Sequence, residues 1–207
     1  MAPRRPLVIG FDLDMTLVDS RPGVAATLDA LSAETGHAID AAVVVGRLGP
    51  TLEDELAQWM PAPDVPAAAD RYRELYAVLG VPGTALLPGA SDAVAAVRRL
   101  GGRAVVVTAK FEPNAHACLA HVGLEVDAVY GWRFGPAKGE TLVAEGADVY
   151  VGDTPHDVAA ARAAGAAAVA VPSGPHDASE LAAAGADVVL ASLVDFDAWL
   201  NGWASTR

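Results

Sequence analysis

The chain has 207 residues, of which 53% are hydrophobic and 19% are charged, a composition typical of a globular protein. A formal net charge of −12 argues against nucleic acid and against an anionic membrane surface as partners, because both attract positive charge. The only cysteine, Cys118, excludes an internal disulfide, and no uncharged apolar run is long enough to span a membrane, so we expect a cytoplasmic protein.

The first predicted strand, residues 7–11, runs directly into two carboxylates, Asp12 and Asp14. Side chains two residues apart on an extended chain point to the same side, so both carboxylates can face one small space. In open α/β sheets, ligands bind beyond the carboxyl ends of the strands. Two close carboxylates repel each other, and a divalent cation such as Mg²⁺ relieves that repulsion. A turn with two solvated aspartates fits the same residues equally well.

The segment after the first strand is predicted to be helical. From about residue 18 to residue 87 we find no convincing strand, and residues 43–45 fit either a helix or a short strand. The helical patterns cover residues 23–35, 51–60 and 65–79. The simplest account is a helical cap, residues 18–87, inserted into a core domain.

The remainder of the chain alternates between short Val-rich runs and Ala-rich segments of helix length. The predicted strands cover residues 103–107, 128–130, 149–151, 167–171 and 188–190, and the helices cover residues 91–100, 113–122, 139–145 and 155–164. This alternation indicates βαβ units, and apolar runs without polar alternation fit strands covered on both faces. The sequence therefore predicts an α/β fold with a doubly wound parallel sheet, whose core domain comprises residues 1–17 and 88–207.

Further polar residues follow the predicted strands. Thr108 ends the strand over residues 103–107, and Asp153 and Asp157 follow the strand over residues 149–151. The second group also suits an ordinary helix start, because Pro155 and an acidic residue are favourable in a first helical turn.

Lysine is scarce in this chain: Lys110 and Lys138 are the only two, against twelve arginines. A solvated surface charge in so Arg-rich a sequence is usually arginine. The compact ammonium group of lysine suits a phosphate site. The composition therefore favours a role for these two lysines in binding.

The order of these motifs resembles the haloacid dehalogenase superfamily of phosphohydrolases. It runs strand-Asp-x-Asp-x-Thr, strand-Thr, a lone Lys and strand-Gly-Asp-x-x-x-Asp across residues 8–157. The flanking sequences are similar to the branch of phosphoglycolate phosphatase and β-phosphoglucomutase, and the helical insertion looks like the first type of cap in that superfamily. One position departs from the pattern, because Met15 stands where the family usually has glycine.

The resemblance implies a role for each residue of the first motif. Asp12 matches the nucleophile that attacks phosphorus and forms an aspartyl-phosphate. Asp14 matches the general acid/base, and its backbone carbonyl joins the metal shell in the family. Thr16 resembles the residue that fixes the loop geometry, and we include it among the candidate substrate-binding residues.

The later motifs complete the implied site. Thr108 would hydrogen-bond a phosphoryl oxygen, and Lys138 would neutralise charge on the transferring group. Asp153 matches the Mg²⁺ ligand and Asp157 the outer or second ligand, so the metal set is Asp12, Asp14, Asp153 and Asp157. The metal would bridge Asp12 and the phosphate.

Two basic residues are further substrate-binding candidates. Arg47 is the only basic residue of the cap loop 46–50, which looks like the substrate-facing loop of the family, although a solvated turn arginine fits as well. Lys110 lies beside the phosphate-binding threonine, where it contacts substrate or is a surface charge.

The resemblance implies a Mg²⁺-dependent phosphatase of a small phosphorylated metabolite, with phosphoglycolate, sugar phosphates and nucleotide monophosphates all open. A phosphomutase of the β-phosphoglucomutase type is the nearest alternative, but mutases of that type use a cap lysine, and residues 18–87 contain none. A catalytically inactive phosphate-binding member is the other alternative, supported by Met15. The sequence leaves monomer and homodimer open.

Overall fold

The computed structural model describes residues 5–206, and a parallel sheet of six strands forms their centre. In chain order the strands are β1 (Val8–Phe11), β2 (Val18–Asp19), β3 (Ala85–Leu86), β4 (Arg103–Val107), β5 (Ala128–Tyr130), β6 (Val149–Gly152), β7 (Ala167–Ala170) and β8 (Val188–Val189). The six-stranded sheet has the order β5-β4-β1-β6-β7-β8, so it grows outward from β1 in both directions. The predicted doubly wound α/β fold is confirmed.

Helices cover both faces of this sheet. The α-helices in chain order are α1 (Arg21–Thr35), α2 (Ala41–Val45), α3 (Leu52–Leu56), α4 (Val65–Leu75), α5 (Ala90–Arg99), α6 (Glu112–His121), α7 (Pro136–Glu145), α8 (Pro155–Ala163), α9 (Ala178–Ala183) and α10 (Phe196–Ala204). None of the helices within residues 5–206 has the length and apolar character needed to cross a membrane.

Strand β4 is buried on both faces of the sheet, and its valines alternate between two hydrophobic clusters. Val106 belongs to one hydrophobic cluster, which includes Phe11 of β1 and Phe196 of α10. Its neighbours Val105 and Val107 belong to a second cluster on the opposite face. Successive side chains of a strand point to opposite faces, so both faces need apolar residues and the sequence reads as a continuous Val run.

The helices α1 to α4 pack around a third hydrophobic cluster, which includes Leu28, Leu31, Leu56 and Tyr76, and Cys118 of α6 also belongs to it. The strands β2 and β3 form an antiparallel pair where the chain enters and leaves this helical block, with Val18 opposite Leu86. We refer to residues 18–87 as the cap. The assignment of the cap as a separate domain remains a prediction.

The expectation of no strand within residues 18–87 was wrong, because β2 and β3 lie there. Each strand has two residues, too few for any alternation of polar and apolar side chains to be read from the sequence. The ambiguous residues 43–45 belong to helix α2, whose N-cap Asp40 accepts hydrogen bonds from the backbone of Ala42 and Val43.

Two predicted cap helices are shorter than expected, and two helices of the core were missed. Helix α3 ends at Leu56 rather than at residue 60, and α4 ends at Leu75 rather than at residue 79. After α4 the backbone widens into a π-helical turn, Tyr76–Gly80, and then tightens into a 3₁₀ turn, Val81–Gly83. Near the C-terminus α9 and α10 follow weak patterns that we did not predict as helices.

Gly23 allows α1 to contact the π-helical turn. A Cβ atom on Gly23 would lie 2.0 Å from the carbonyl oxygen of Gly80, and backbone cannot move away as a flexible side chain can. We expect Gly23→Ala to destabilise the protein by about 1–3 kcal/mol, because this overpacking outweighs the helix propensity of alanine. Urea denaturation measures the change.

The matched control is Gly202→Ala in helix α10, where a Cβ atom meets nothing within 4 Å. There alanine should stabilise the protein by about 0.5–1 kcal/mol. Equal effects of the two substitutions would contradict the close approach at Gly23.

Candidate active site

Polar side chains converge at the carboxyl ends of three neighbouring strands. Asp12 follows β1, Thr108 follows β4, and Asp153 follows β6, with β1 between the other two strands. All three side chains are buried. The parallel topology therefore brings together residues that lie 45 to 141 positions apart in the chain.

Lys138 compensates the carboxylates of this site. From helix α7 its ammonium nitrogen lies 3.2 Å from Asp12 Oδ1 and 2.6 Å from Asp157 Oδ1. Burial by itself would lower the pKa of Lys138, but attraction to Asp12 and Asp157 outweighs burial and raises that pKa above its ordinary value. Lys138 is therefore a cation at neutral pH.

Asp157 stabilises the start of a helix and also belongs to the site, so both interpretations of the sequence hold for this residue. It forms a capping box with Thr154 at the start of α8, where its Oδ2 accepts from the backbone N–H and the hydroxyl of Thr154. Its Oδ1 accepts from Lys138 and from the hydroxyl of Tyr150. Asp157 therefore fixes the position of Lys138.

The acidic residues fit a divalent cation. Asp12, Asp153 and Asp157 each offer a carboxylate oxygen, and these oxygens lie within 4.8 Å of one another. Asp12 Oδ1 is buried and accepts no hydrogen bond from the described residues, since its contact with Lys138 has the distance of an ion pair but not hydrogen-bond geometry. Oxygen ligands at this spacing are what Mg²⁺ prefers.

Electrostatics support the same fit. Burial, followed by repulsion from Asp157 and Asp14, raises the pKa of Asp12 to about 7 against the opposing attraction of Lys138. Burial and repulsion from Asp157 and Asp12 likewise hold the pKa of Asp153 well above its ordinary value. Three buried carboxylates share one lysine, so a second source of positive charge would stabilise their ionised forms.

Thr16 and Met15 shape the loop after β1. The hydroxyl of Thr16 donates to Asp153 Oδ1 at 2.9 Å, so Thr16 orients a carboxylate of the site. Met15 has a backbone φ of 61°, in the left-handed region, and its side chain is buried. Glycine adopts this conformation without steric cost, which gives a physical reason for the glycine that the resemblance led us to expect at this position.

Lys110 is not a surface charge. Its side chain is 10% exposed, and its ammonium nitrogen lies 2.9 Å from Asp14 Oδ1 and 4.1 Å from the ring centroid of Tyr76 in the cap. Burial by itself would lower the pKa of Lys110, but attraction to Asp14 and smaller contributions from Tyr76, Cys118 and Tyr72 together outweigh burial and raise that pKa. Lys110 thus positions the carboxylate that resembles the general acid/base.

A cavity of about 520 Å³ lies between the cap and the ends of the strands. Asp12, Asp14, Thr108, Lys138 and Asp153 all line it, and Lys110 and Arg47 do so as well. Thr16 and Asp157 are not among the lining residues and contact the site through Asp153 and Lys138.

Arg47 is only partly a solvated turn arginine. Its side chain is 41% exposed and pairs with Glu55, which is buried and also accepts the indole N–H of Trp59. Neither Glu55 nor Arg73 was predicted from the sequence as a residue of the site. The guanidinium of Arg73 lies 5.5 Å from the ring centroid of Phe111 and 5.4 Å from that of Trp132. Arg47, the ion-pair partner of Glu55, lies in the preceding loop, and both aromatic partners of Arg73 lie in the core, so no local pattern marks either residue as part of the cavity.

The fold and the buried acidic cluster define an α/β protein with a ligand site at the centre of a doubly wound sheet. Residues 9–162 match the family model of haloacid dehalogenase-like hydrolases, and residues 137–196 match a second model, described as HAD-hydrolase-like. The chain belongs to the haloacid dehalogenase-like hydrolase family.

Relatives within this family carry different names. The probable phosphatase IndB of Dickeya dadantii is 32% identical over 187 residues, which cover 81% of each chain. The phosphoglycolate phosphatase of Caulobacter vibrioides is 29% identical over 184 residues, which cover 79% of this chain and 78% of the relative. The tyrosine-protein kinase PtkA of Mycobacterium tuberculosis is 29% identical over 121 residues, 58% of this chain. The chain spans less than half of the length of the PtkA proteins, 42%.

A solved structure shows the same fold. The putative haloacid dehalogenase-like hydrolase from Bacteroides fragilis superimposes with a TM-score of 0.81 at 21% sequence identity, covering 92% of this chain and 99% of that structure.

Met15 provides a test of the loop geometry. Met15→Gly relieves the left-handed backbone, a gain of about 1–2 kcal/mol, but removes a fully buried side chain, a loss of about 2–5 kcal/mol. We therefore expect a net loss of about 1–3 kcal/mol in the free energy of unfolding, measured by urea denaturation.

Met15→Leu conserves volume and keeps the backbone strain, so it should change stability by less than about 1.5 kcal/mol. A Met15→Gly protein more stable than the parent would show that strain, not packing, dominates at this position.

Proposed function

We propose that this protein is a phosphatase that hydrolyses a small phosphate monoester through an aspartyl-phosphate on Asp12. The observation that carries the proposal is the Asp12 carboxylate itself. It is buried at the end of the central strand, lines the cavity, pairs with Lys138, and has one oxygen that accepts no hydrogen bond within residues 5–206. Membership of the family and relatives named as phosphatases support the same reaction.

In the first step an oxygen of Asp12 attacks the phosphorus and the bond from phosphorus to the ester oxygen breaks. Asp14, in its protonated form, gives its proton to the departing alcohol. In the second step Asp14 takes a proton from water, the water oxygen attacks the phosphorus, and the Asp12 carboxylate leaves with release of inorganic phosphate. Lys110 orients Asp14 for both transfers through their contact at 2.9 Å.

Thr108 and Lys138 bind the phosphoryl group. The hydroxyl oxygen of Thr108 accepts from the backbone N–H of Lys110, which leaves its own proton for a phosphoryl oxygen. Lys138 opposes the negative charge that Asp12 and a dianionic ester bring together. Arg47 lines the cap side of the cavity, where it is paired with Glu55.

Mg²⁺ would be held by the carboxylates of Asp12 and Asp153 and by the backbone carbonyl of Asp14, with Asp157 as the outer acidic group. When bound, the cation supplies positive charge that offsets the repulsion between carboxylates and phosphate. Thr16 holds Asp153 toward this position, and Asp157 holds Lys138.

The cavity favours a phosphatase over a phosphomutase. No described cap residue that lines the cavity is a lysine or a histidine. The cap, residues 18–87, acts in this proposal as a domain that encloses the substrate and excludes bulk water.

Asp12→Asn tests the nucleophile. An amide is a poor nucleophile, so hydrolysis of p-nitrophenyl phosphate should fall by about a thousandfold or more, equivalent to about 4 kcal/mol of activation free energy. Asp92→Asn, an exposed aspartate in the first turn of α5, is the matched control and should retain full activity. Turnover by Asp12→Asn at the rate of the parent would show that another residue attacks.

Removal of divalent cations tests the metal site. Chelation should stop hydrolysis, and added Mg²⁺ should restore it. Mg²⁺ should also raise the melting temperature of the parent protein, because it binds the folded site. Asp153→Asn should lose most of that thermal shift, whereas Asp92→Asn keeps it. A rate that is unaffected by chelation would refute the metal assignment.

A further inference from the structure

Each described lysine or arginine that lines the cavity is paired with a carboxylate. These residues are Arg47, Arg73, Lys110 and Lys138. Lys138 contacts Asp12 and Asp157, and Lys110 contacts Asp14, so the two lysines serve the phosphoryl end of the cavity. The two arginines of the cap are the remaining cations that could meet the rest of a substrate.

Arg47 is held by a buried acid. Its Nε lies 3.1 Å from Glu55 Oε2 and its Nη2 lies 2.6 Å from Glu55 Oε1, a two-pronged pair. The Glu55 side chain is 7% exposed and also accepts from Trp59 at 2.8 Å. If Arg47 turned to a substrate carboxylate, the buried charge of Glu55 would lose its cation, which is costly.

Arg73 is neutralised as well. It pairs with Glu53 and with Asp70, and its guanidinium lies over the rings of Phe111 and Trp132. These two acids are more exposed than Glu55, so their hold on Arg73 is the weaker one. Its buried Nε has no hydrogen-bond partner within residues 5–206.

The walls of the cavity are largely apolar away from the phosphoryl end. The cap contributes Val24, Leu28, Val44 and Leu48, and the core contributes Phe111 and Phe134. Five carboxylates line the cavity, those of Asp12, Asp14, Glu53, Glu55 and Asp153, against the four cations. A carboxylate on the leaving group would add negative charge where, among the described lining residues, every lysine and arginine is already paired.

We infer that the leaving group of the substrate is an uncharged, largely apolar alcohol rather than a carboxylate-bearing alcohol such as glycolate or serine. The inference rests on the proposed phosphatase activity and narrows its substrate class. A cavity of about 520 Å³ accepts a leaving group considerably larger than glycolate.

Matched esters test the inference on the unmodified protein with Mg²⁺. The first pair is 4-carbamoylbenzyl phosphate and 4-carboxybenzyl phosphate, in which a methylene group insulates the scissile bond from the substituent. The second pair is the carboxamide of 2-phosphoglycolate and 2-phosphoglycolate itself. We expect kcat/KM to be about tenfold or more higher for the amide of each pair, which corresponds to about 1.4 kcal/mol. An equal or higher kcat/KM for the carboxylate ester in either pair would overturn the inference.

Glu55→Gln tests the role of the pair. Glutamine keeps an oxygen for Trp59 but leaves Arg47 without its carboxylate, so kcat/KM for the two carboxylate esters should rise about fivefold or more while the amide esters change less than about twofold. Glu34→Gln is the matched control, because Glu34 makes a similar two-pronged pair with Arg71 and neither residue lines the cavity. Glu34→Gln should change kcat/KM neither for the carboxylate esters nor for the amide esters. A rise of equal size for acid and amide esters in Glu55→Gln would contradict the assignment.

Failure of the inference is separable from failure of the proposed function. Hydrolysis of p-nitrophenyl phosphate without discrimination between the paired esters contradicts the inference alone. Absence of hydrolysis of p-nitrophenyl phosphate and of all four esters contradicts the phosphatase itself. If circular dichroism shows that Glu55→Gln does not fold, the comparison of esters on the unmodified protein decides.

Discussion

Three buried carboxylates around a single lysine are the constraint on which this site depends. Asp12, Asp153 and Asp157 place negative charge in a space where burial alone opposes ionisation, and Lys138 compensates only part of it. The surrounding structure supplies other compensation through hydrogen bonds from Thr16, Thr154 and Tyr150. The remaining deficit of positive charge suits a divalent cation, which would offset the repulsion among these carboxylates.

The topology of the sheet makes this concentration of charge possible. Because β1 lies between β4 and β6, the loops that follow these three strands lie side by side at one edge of the sheet. The strands themselves are apolar on both faces, so they anchor the loops in a packed core on either side. The cost of burying the carboxylates is thus offset by hydrophobic contacts that lie below the site rather than in it.

Much of this arrangement could be predicted from the sequence. The parts that could not be predicted share one physical character: they depend on very short elements or on contacts between distant residues. The six strands of the sheet follow from local apolar runs, and the polar residues at their ends follow from position alone. By contrast, β2 and β3 have two residues each, too few to show the alternation of polar and apolar side chains that marks a strand. The π-helical turn at Tyr76 has the composition of an ordinary helix. The partnership of Arg47 with Glu55 joins a loop to the next helix, so neither residue marks the other in the sequence. The left-handed backbone of Met15 was visible only as a departure from the glycine of the family.

The cap contacts the polar residues of the cavity through Tyr76, and glycines nearby make this contact possible. A Cβ atom on Gly80 would lie 2.3 Å from the Tyr76 ring, and one on Gly83 would lie 2.7 Å from the backbone nitrogen of Gly23. Glycine at these positions lets α1, the π-helical turn and the 3₁₀ turn approach closely enough to fix that ring. The ring then packs against Lys110, which in turn contacts Asp14. Packing inside the cap therefore sets the environment of a carboxylate in the core, so the position of the cap affects the surroundings of Asp14 as well as access to the cavity.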